Sequence, residues 1–192
     1  MEPYKFNINL WMGALLPAPP VPPYPAPLRM TVDPAYFANE TSDHSAFAVG
    51  YQESNADWGA TVTLLDCDSD RWKGIELPTR IVAAIEEWKP EQVWIERSGN
   101  GAPDLLADNI LQMCETKGLA PIISFYTPKQ SKGQRIFKLQ ATIENGYLKI
   151  SPTRRVNALF DEVREFDFAD KQNHRHQDNR LDSLAALVGF KN

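Results

Sequence analysis

Four acidic residues, far apart in the chain, have the types and positions to do chemistry together. Asp33 closes the run Leu28-Arg29-Met30-Thr31-Val32, and Glu96 closes Gln92-Val93-Trp94-Ile95. Asp178 and Asp182 open the amphipathic segment Asp178-Asn179-Arg180-Leu181-Asp182-Ser183-Leu184-Ala185-Ala186-Leu187. A carboxylate just past a buried strand sits where apolar burial stops and solvent begins. Two strand-end acids plus a helical Asp pair supply about the number of hard oxygen ligands that two divalent cations need. Two such ions about 3.5–4 Å apart can activate a water and stabilise the leaving 3′-oxygen of a phosphodiester.

Each acid also has a plainer reading. Asp33 and Glu96 taken singly are solvated strand-end acids, and Asp178 is a helix N-cap. Taken as a set they differ, because four carboxylates packed together without counter-charge raise at least one pKa. Divalent cations resolve that repulsion, and Mg²⁺ suits a site of carboxylate oxygens, water and a substrate phosphate. Asp33 is the expected bridging ligand, since a central strand fixes it most firmly.

Several neighbours are weaker candidates. Ser98-Gly99-Asn100-Gly101 follows Glu96 and reads as a tight turn or as a place where a phosphate backbone comes close. It has neither the Rossmann nor the P-loop spacing. Lys129, Lys132 and Arg135 surround Gly133, as phosphate contacts or as a solvated basic loop. Asp43 and His44 precede the second strand, across a hairpin from Asp33, where they could brace a ligand. In His174-Arg175-His176 one histidine, His176 foremost, could assist a water at the metal. Cys67 and Cys114 read as packing residues. No Ser-His-Asp or Cys-His arrangement stands out.

The elements that must position these residues follow from periodicity. Leu28–Val32, Ser45–Tyr51 and Trp58–Leu65 read as three strands joined by polar turns, hence an antiparallel meander. Pro78 marks a helix start, with Ile81, Ile85 and Trp88 at helical spacing before Lys89-Pro90. Val93–Ile95 is a short buried strand. Ala102–Thr116 is a helix with Leu105, Leu106, Ile110, Leu111 and Met113 facing inward and Gly118 at its end. Pro121–Phe125 reads as another buried strand, Gln134–Glu144 as helix, and Tyr147–Ile150 as a short extended piece. Val156–Phe166 and Asn179–Phe190 are closing helices. This order predicts an α/β fold whose mixed sheet joins an antiparallel meander to parallel strands, with helices on its faces.

Residues 1–27 differ. Leu16 to Pro27 is a polyproline-type stretch that suits neither a helix interior nor a central strand. It predicts a semi-rigid linker, or a peptide for an aromatic groove, with the globular domain over residues 28–192.

Composition bounds the class. With 192 residues, 43% hydrophobic and 23% charged, the chain suits one ordinary domain. Nothing approaches the roughly 20 apolar residues of a membrane span or resembles a signal peptide. Two cysteines supply neither a disulfide framework nor a zinc site, so a reducing intracellular compartment is expected. A net charge of −5 argues against nucleic-acid binding by bulk electrostatics but allows it through metal ions. Weak, salt-sensitive DNA affinity is the consequence.

At this point the residues resemble the nuclease domain of the large terminase subunit of tailed bacteriophages, over about Leu28 to Val188. Asp33-Pro34-Ala35, followed ten residues on by Asp43-His44-Ser45-Ala46, is similar to that family's opening block. Val93-Trp94-Ile95-Glu96-Arg97-Ser98-Gly99-Asn100-Gly101 resembles its second. Lys132-Gly133-Gln134-Arg135 with Ile143-Glu144-Asn145-Gly146-Tyr147-Leu148 resembles its third. Asp178-Asn179-Arg180-Leu181-Asp182-Ser183 resembles its "DD..DA" ending, with Asn179 in place of the second Asp. The resemblance implies an RNase H-like fold that cuts double-stranded concatemeric viral DNA during genome packaging, using Mg²⁺ or Mn²⁺. It implies metal binding by Asp33 and Glu96 and puts the third ligand on Asp178, Asp182 or both. Lys132, Arg135 and Asn179 then contact DNA or brace the ligands. A packaging ATPase domain of the same full-length protein, the small terminase subunit and the portal are the implied partners, in the host cytoplasm and without a membrane. No Walker motif occurs here. Two other readings remain open: a different RNase H-type nuclease acting on junctions or RNA–DNA hybrids, and a non-catalytic docking module of a packaging motor.

Overall fold

The computed structural model describes residues 5–22, 27–35, 44–55, 59–97, 102–153, 155–168 and 178–189. In chain order the elements are α1 (Ile8–Gly13), β1 (Leu28–Asp33), β2 (Ser45–Asn55), β3 (Gly59–Asp70), α2 (Glu76–Trp88), β4 (Gln92–Glu96), α3 (Ala102–Glu115), β5 (Ile122–Tyr126), α4 (Lys132–Glu144), β6 (Leu148–Ile150), α5 (Val156–Glu165) and α6 (Asn179–Gly189). The strands form one six-stranded sheet in the order β5-β4-β1-β2-β3-β6. The expected meander is present, with β1 antiparallel to β2 and β2 antiparallel to β3. Strand β4 joins β1 in parallel, β5 joins β4 in parallel, and β6 joins β3 in parallel.

Strand alternation divides the core in two. Met30, Val32, Phe47, Val49, Val93 and Ile95 point to one face and pack against Ile81 and Ile85 of α2 and Leu106 and Ile110 of α3. On the opposite face Ala48, Val62, Leu64 and Cys67 meet Ile136 and Leu139 of α4, Leu159 of α5, and Leu184 and Leu187 of α6. Helix α6 lies very close to the sheet because β2 carries Gly50 there. A Cβ at Gly50 would sit 2.9 Å from Leu187 Cδ2 and nearer still to the Thr63 carbonyl oxygen. The β-bulge between Val49 and Gly50 falls at the same point.

Three expectations need correction. Leu105 and Leu111 do not face inward; they are 65% and 43% exposed, and the buried stripe of α3 is Pro103, Leu106, Ala107, Ile110 and Cys114. Strand β5 is a half-buried edge rather than a buried strand, since only β4 pairs with it. The part of residues 1–27 before the prolines also folds onto the domain. Trp11 of α1 is fully buried with Phe6, and Leu15 bridges to Ile150 on the outer side of β6. Backbone bonds from Leu16 N to Ile150 O (2.8 Å) and from Ile150 N to Ala14 O (2.9 Å) cover that sheet edge. Both cysteines are buried free thiols, as expected of packing residues.

Candidate active site

Parallel pairing of β1 and β4 sets the site. Val32 pairs with Ile95, so the next residue of each strand, Asp33 and Glu96, ends up at the same edge of the sheet centre. Asp33 lies two residues from Thr31 and shares its face. Thr31 Oγ1 donates to the Ser183 carbonyl of α6 at 2.8 Å, so that face is the one α6 covers. The first turn of α6 thus brings Asp178 and Asp182 in, joined by Asp182 N donating to Asp178 O at 3.0 Å. Both side chains are deeply buried, with 7% and 3% of their surface exposed.

Helix α4 supplies the counter-charge. A capping box fixes its start: Ser131 accepts from Gln134 N (3.4 Å), and the Gln134 side chain accepts from Ser131 N (3.2 Å). That aims Lys132 and Arg135 at the acids. Arg135 grips Asp182 with two bonds, Nε to Oδ1 at 2.9 Å and Nη2 to Oδ2 at 2.5 Å, and its Nη2 stands 3.5 Å from Glu96 Oε2. Lys132 Nζ is 2.7 Å from Asp178 Oδ1 and 4.0 Å from Asp182 Oδ2, and it donates to Asn179 Oδ1 at 3.2 Å.

The electrostatics show all four acids in one field. Burial opposes the charge on Lys132, but Asp178, Asp182 and Asp33 outweigh it and lift its pKa. Burial pushes the Glu96 carboxyl up, Arg135 pulls it down, and the Asp182 charge pushes it up again. Tyr126 is a participant the sequence reading did not single out. It aligns with Glu96 in the β4–β5 register, and its hydroxyl donates to Glu96 Oε2 at 3.2 Å. Burial and the charges of Glu96, Asp33 and Asp182 raise its pKa. In the sequence it lies one residue past the strand read over Pro121–Phe125, and only the pairing of β5 with β4 sets it beside Glu96.

A buried brace behind the site was also not foreseen. Glu162 of α5 accepts from Leu181 N at 3.1 Å and from Arg180 Nη1 at 2.8 Å. Arg180 Nη2 in turn donates to the Ser69 carbonyl at 2.9 Å. This ties the first turn of α6, the turn that carries the acids, to α5 and β3. Of the weaker candidates, Asp43, His174, His176 and the 98–101 turn lie outside the described residues. His44 is half-buried just before β2, and Lys129 lies in the loop before α4.

Four carboxylates, hard oxygen donors of the kind a divalent cation takes, share this end of the sheet with two protein cations that balance them. As they stand, no three His, Cys, Asp or Glu side chains among the described residues form a group able to hold an ion. The ammonium of Lys132 instead takes the place of positive charge among Asp178, Asp182 and Asp33. In chemistry the residues fit a divalent cation, with Lys132 and Arg135 as its competitors.

No protein-family model matches the sequence, and no curated protein matches it. Solved structures do. The large terminase nuclease of thermophilic phage G20c with bound magnesium aligns at a TM-score of 0.61 and 17% identity, covering 100% of both chains. The human cytomegalovirus terminase nuclease domain, Mn-soaked and inhibitor-bound, aligns at 0.61 and 12%, covering 88% of this chain and 85% of that one. The Fowlpox virus resolvase in complex with substrate Holliday junction DNA aligns at 0.50 and 10%, covering 84% and 99%. Identities this low speak to architecture, and the mixed sheet with its flanking helices agrees: the chain has the RNase H-like fold seen in viral terminase nuclease domains.

Proposed function

We propose that the chain is a metal-dependent endodeoxyribonuclease that cuts double-stranded concatemeric viral DNA during genome packaging. The observation that supports this reading is one charged network at the end of the central strands: Arg135 reaches both Glu96 and Asp182, Lys132 reaches Asp178 and Asp182, and Asp33 ends the strand paired with that of Glu96. The fold it shares with terminase nucleases, two of them solved with magnesium or manganese, supports the choice of substrate and metal. Asp33, Glu96, Asp178 and Asp182 would hold Mg²⁺ or Mn²⁺, as a pair of ions. Bound there, the ions would supply Lewis acidity to the scissile phosphate and to the attacking water.

The chain's own residues do the rest. Arg135 orients Asp182 and stands beside Glu96, while the Tyr126 hydroxyl holds the same Glu96 oxygen, Oε2. Lys132 balances the acids until substrate and cations arrive, and is then free to meet a phosphate oxygen. Asn179 beside it offers an amide to the same region. The isolated chain, at net −5, depends on its packaging ATPase domain, the small terminase subunit and the portal for grip on DNA. The host cytoplasm is the matching setting.

Asp33→Asn and Glu96→Gln each lower Mn²⁺-dependent plasmid nicking on the order of a thousandfold, about 4 kcal/mol of barrier. Circular dichroism should show both variants folded. Full nicking by either one removes the reading. The resolvase of the same fold favours a second reading, cleavage of branched DNA. Cutting of linear duplex, four-way junction and RNA–DNA hybrid under one condition separates the two.

A further inference from the structure

Beside the acidic cluster lies a cavity of about 520 Å³ that the cutting chemistry does not use. Tyr126 and Arg135 form the wall it shares with the acids. Its floor is apolar, with Leu139, Ala185 and Ala186 all buried. Lys129 and Lys138 stand at its rim, exposed, and neither ammonium is engaged in an ion pair among the described residues.

The charge here runs against the rest of the chain. Residues 129–143 contain Lys129, Lys132, Arg135 and Lys138 and no acid, in a protein of net charge −5. Lys132, Arg135 and Lys138 fall at i, i+3 and i+6, so one face of α4 carries a basic line from the acids to the cavity. A base pair in a stacked duplex presents only edges and phosphates to such a surface. An apolar floor with a cationic rim instead complements a single nucleotide, with its base turned in and its phosphate on the lysines. The volume lies in the usual range of about 300–1,000 Å³ for small-ligand sites.

We propose that this cavity receives one unpaired nucleotide of the DNA strand, adjacent to the phosphate at the acidic cluster. The proposal rests on the nuclease reading for the identity of the ligand, and its test measures binding rather than cutting. A fluorescein-labelled duplex, and the same duplex with a short central unpaired tract, are titrated with the 192-residue chain in EDTA by fluorescence anisotropy. The unpaired tract should bind about tenfold more tightly, the scale of one base gaining an apolar contact. Lys138→Glu removes rim charge. Gly189→Phe places bulk at the cavity, where an added Cβ meets nothing within 4 Å. Both variants should lose the preference while melting at the wild-type temperature.

Equal affinity for the two DNAs in the wild-type chain overturns the proposal, as does a preference that survives both substitutions. Nicking assays run alongside keep the two ideas separable. A chain that prefers the unpaired tract but never cuts retains the pocket and loses the nuclease. One that cuts without the preference retains the nuclease and loses the pocket.

Discussion

Lys132 lets carboxylates that would otherwise repel one another stay close, and a divalent cation bound among them would compete with its ammonium. Its ammonium lies 2.7 Å from Asp178 and 4.0 Å from Asp182, and it feels Asp33 as well. Lys132→Gln leaves those acids less compensated and lowers stability without metal by roughly 1–3 kcal/mol. A divalent cation bound among the acids would restore the balance, and in the variant it no longer competes with the ammonium. Added MnCl₂ should therefore raise the melting temperature of Lys132→Gln more than that of the wild type, read by differential scanning fluorimetry. Equal shifts would mean that the acids do not hold the ion. The acids themselves were legible in the sequence, because each closes or opens a segment whose periodicity is clear. Their bonds to Arg135 and Lys132 were not, since these depend on how α4 packs on α6, as between Arg135 and Asp182, 47 residues apart.

Among the elements, α6 follows Asp178, carries Asp182, and has the least ordinary anchor. Glu162 is almost fully buried, and burial pushes its carboxyl from 4.5 up to about 7, with Arg180 pulling against it. The folded chain thus holds a proton on Glu162 that the unfolded chain releases between pH ~4.5 and ~7. Stability from this group is present below the lower value and is lost as pH rises to the upper one, about 3 kcal/mol in all. Glu162→Gln does not titrate, so urea denaturation from pH 5 to pH 7.5 should fall less steeply for the variant by about that amount. Identical slopes would refute the assignment. Element boundaries were legible wherever a cap or a breaker marks them, as Lys89-Pro90 does after α2. Faces were less so. Leu105 and Leu111 flank the buried stripe of α3, and nothing in their spacing says which apolar residues the sheet leaves to solvent. The edge position of β5 was hidden for a related reason: strand order is a property of the sheet and not of the strand.

For the molecule as a whole, the N-terminal segment decides where the domain begins. Its proline content obscured the apolar residues before it, Phe6 and Trp11, which join Phe166 and Phe168 in an aromatic cluster. Phe6 meets Trp11 edge-on at 5.1 Å and Phe168 at 4.8 Å between ring centroids, favourable arrangements for such rings. The same segment then runs along β6 and covers an edge that would otherwise invite pairing with another chain. If it is part of the core, Trp11→Ala should cost about 3–5 kcal/mol, the range for emptying a large aromatic site. Trp11→Phe provides the contrast. The indole Nε1 is buried with no hydrogen-bond partner among the described residues, so losing it removes no bond and relieves an unsatisfied donor. Its cost should be about 1 kcal/mol, set by the smaller ring alone. A linker lying on the surface predicts near-zero effects for both substitutions, and a tryptophan held by its N–H predicts comparable losses. Only a buried, packing tryptophan separates the two variants by several kcal/mol, and equilibrium urea denaturation reads that difference directly.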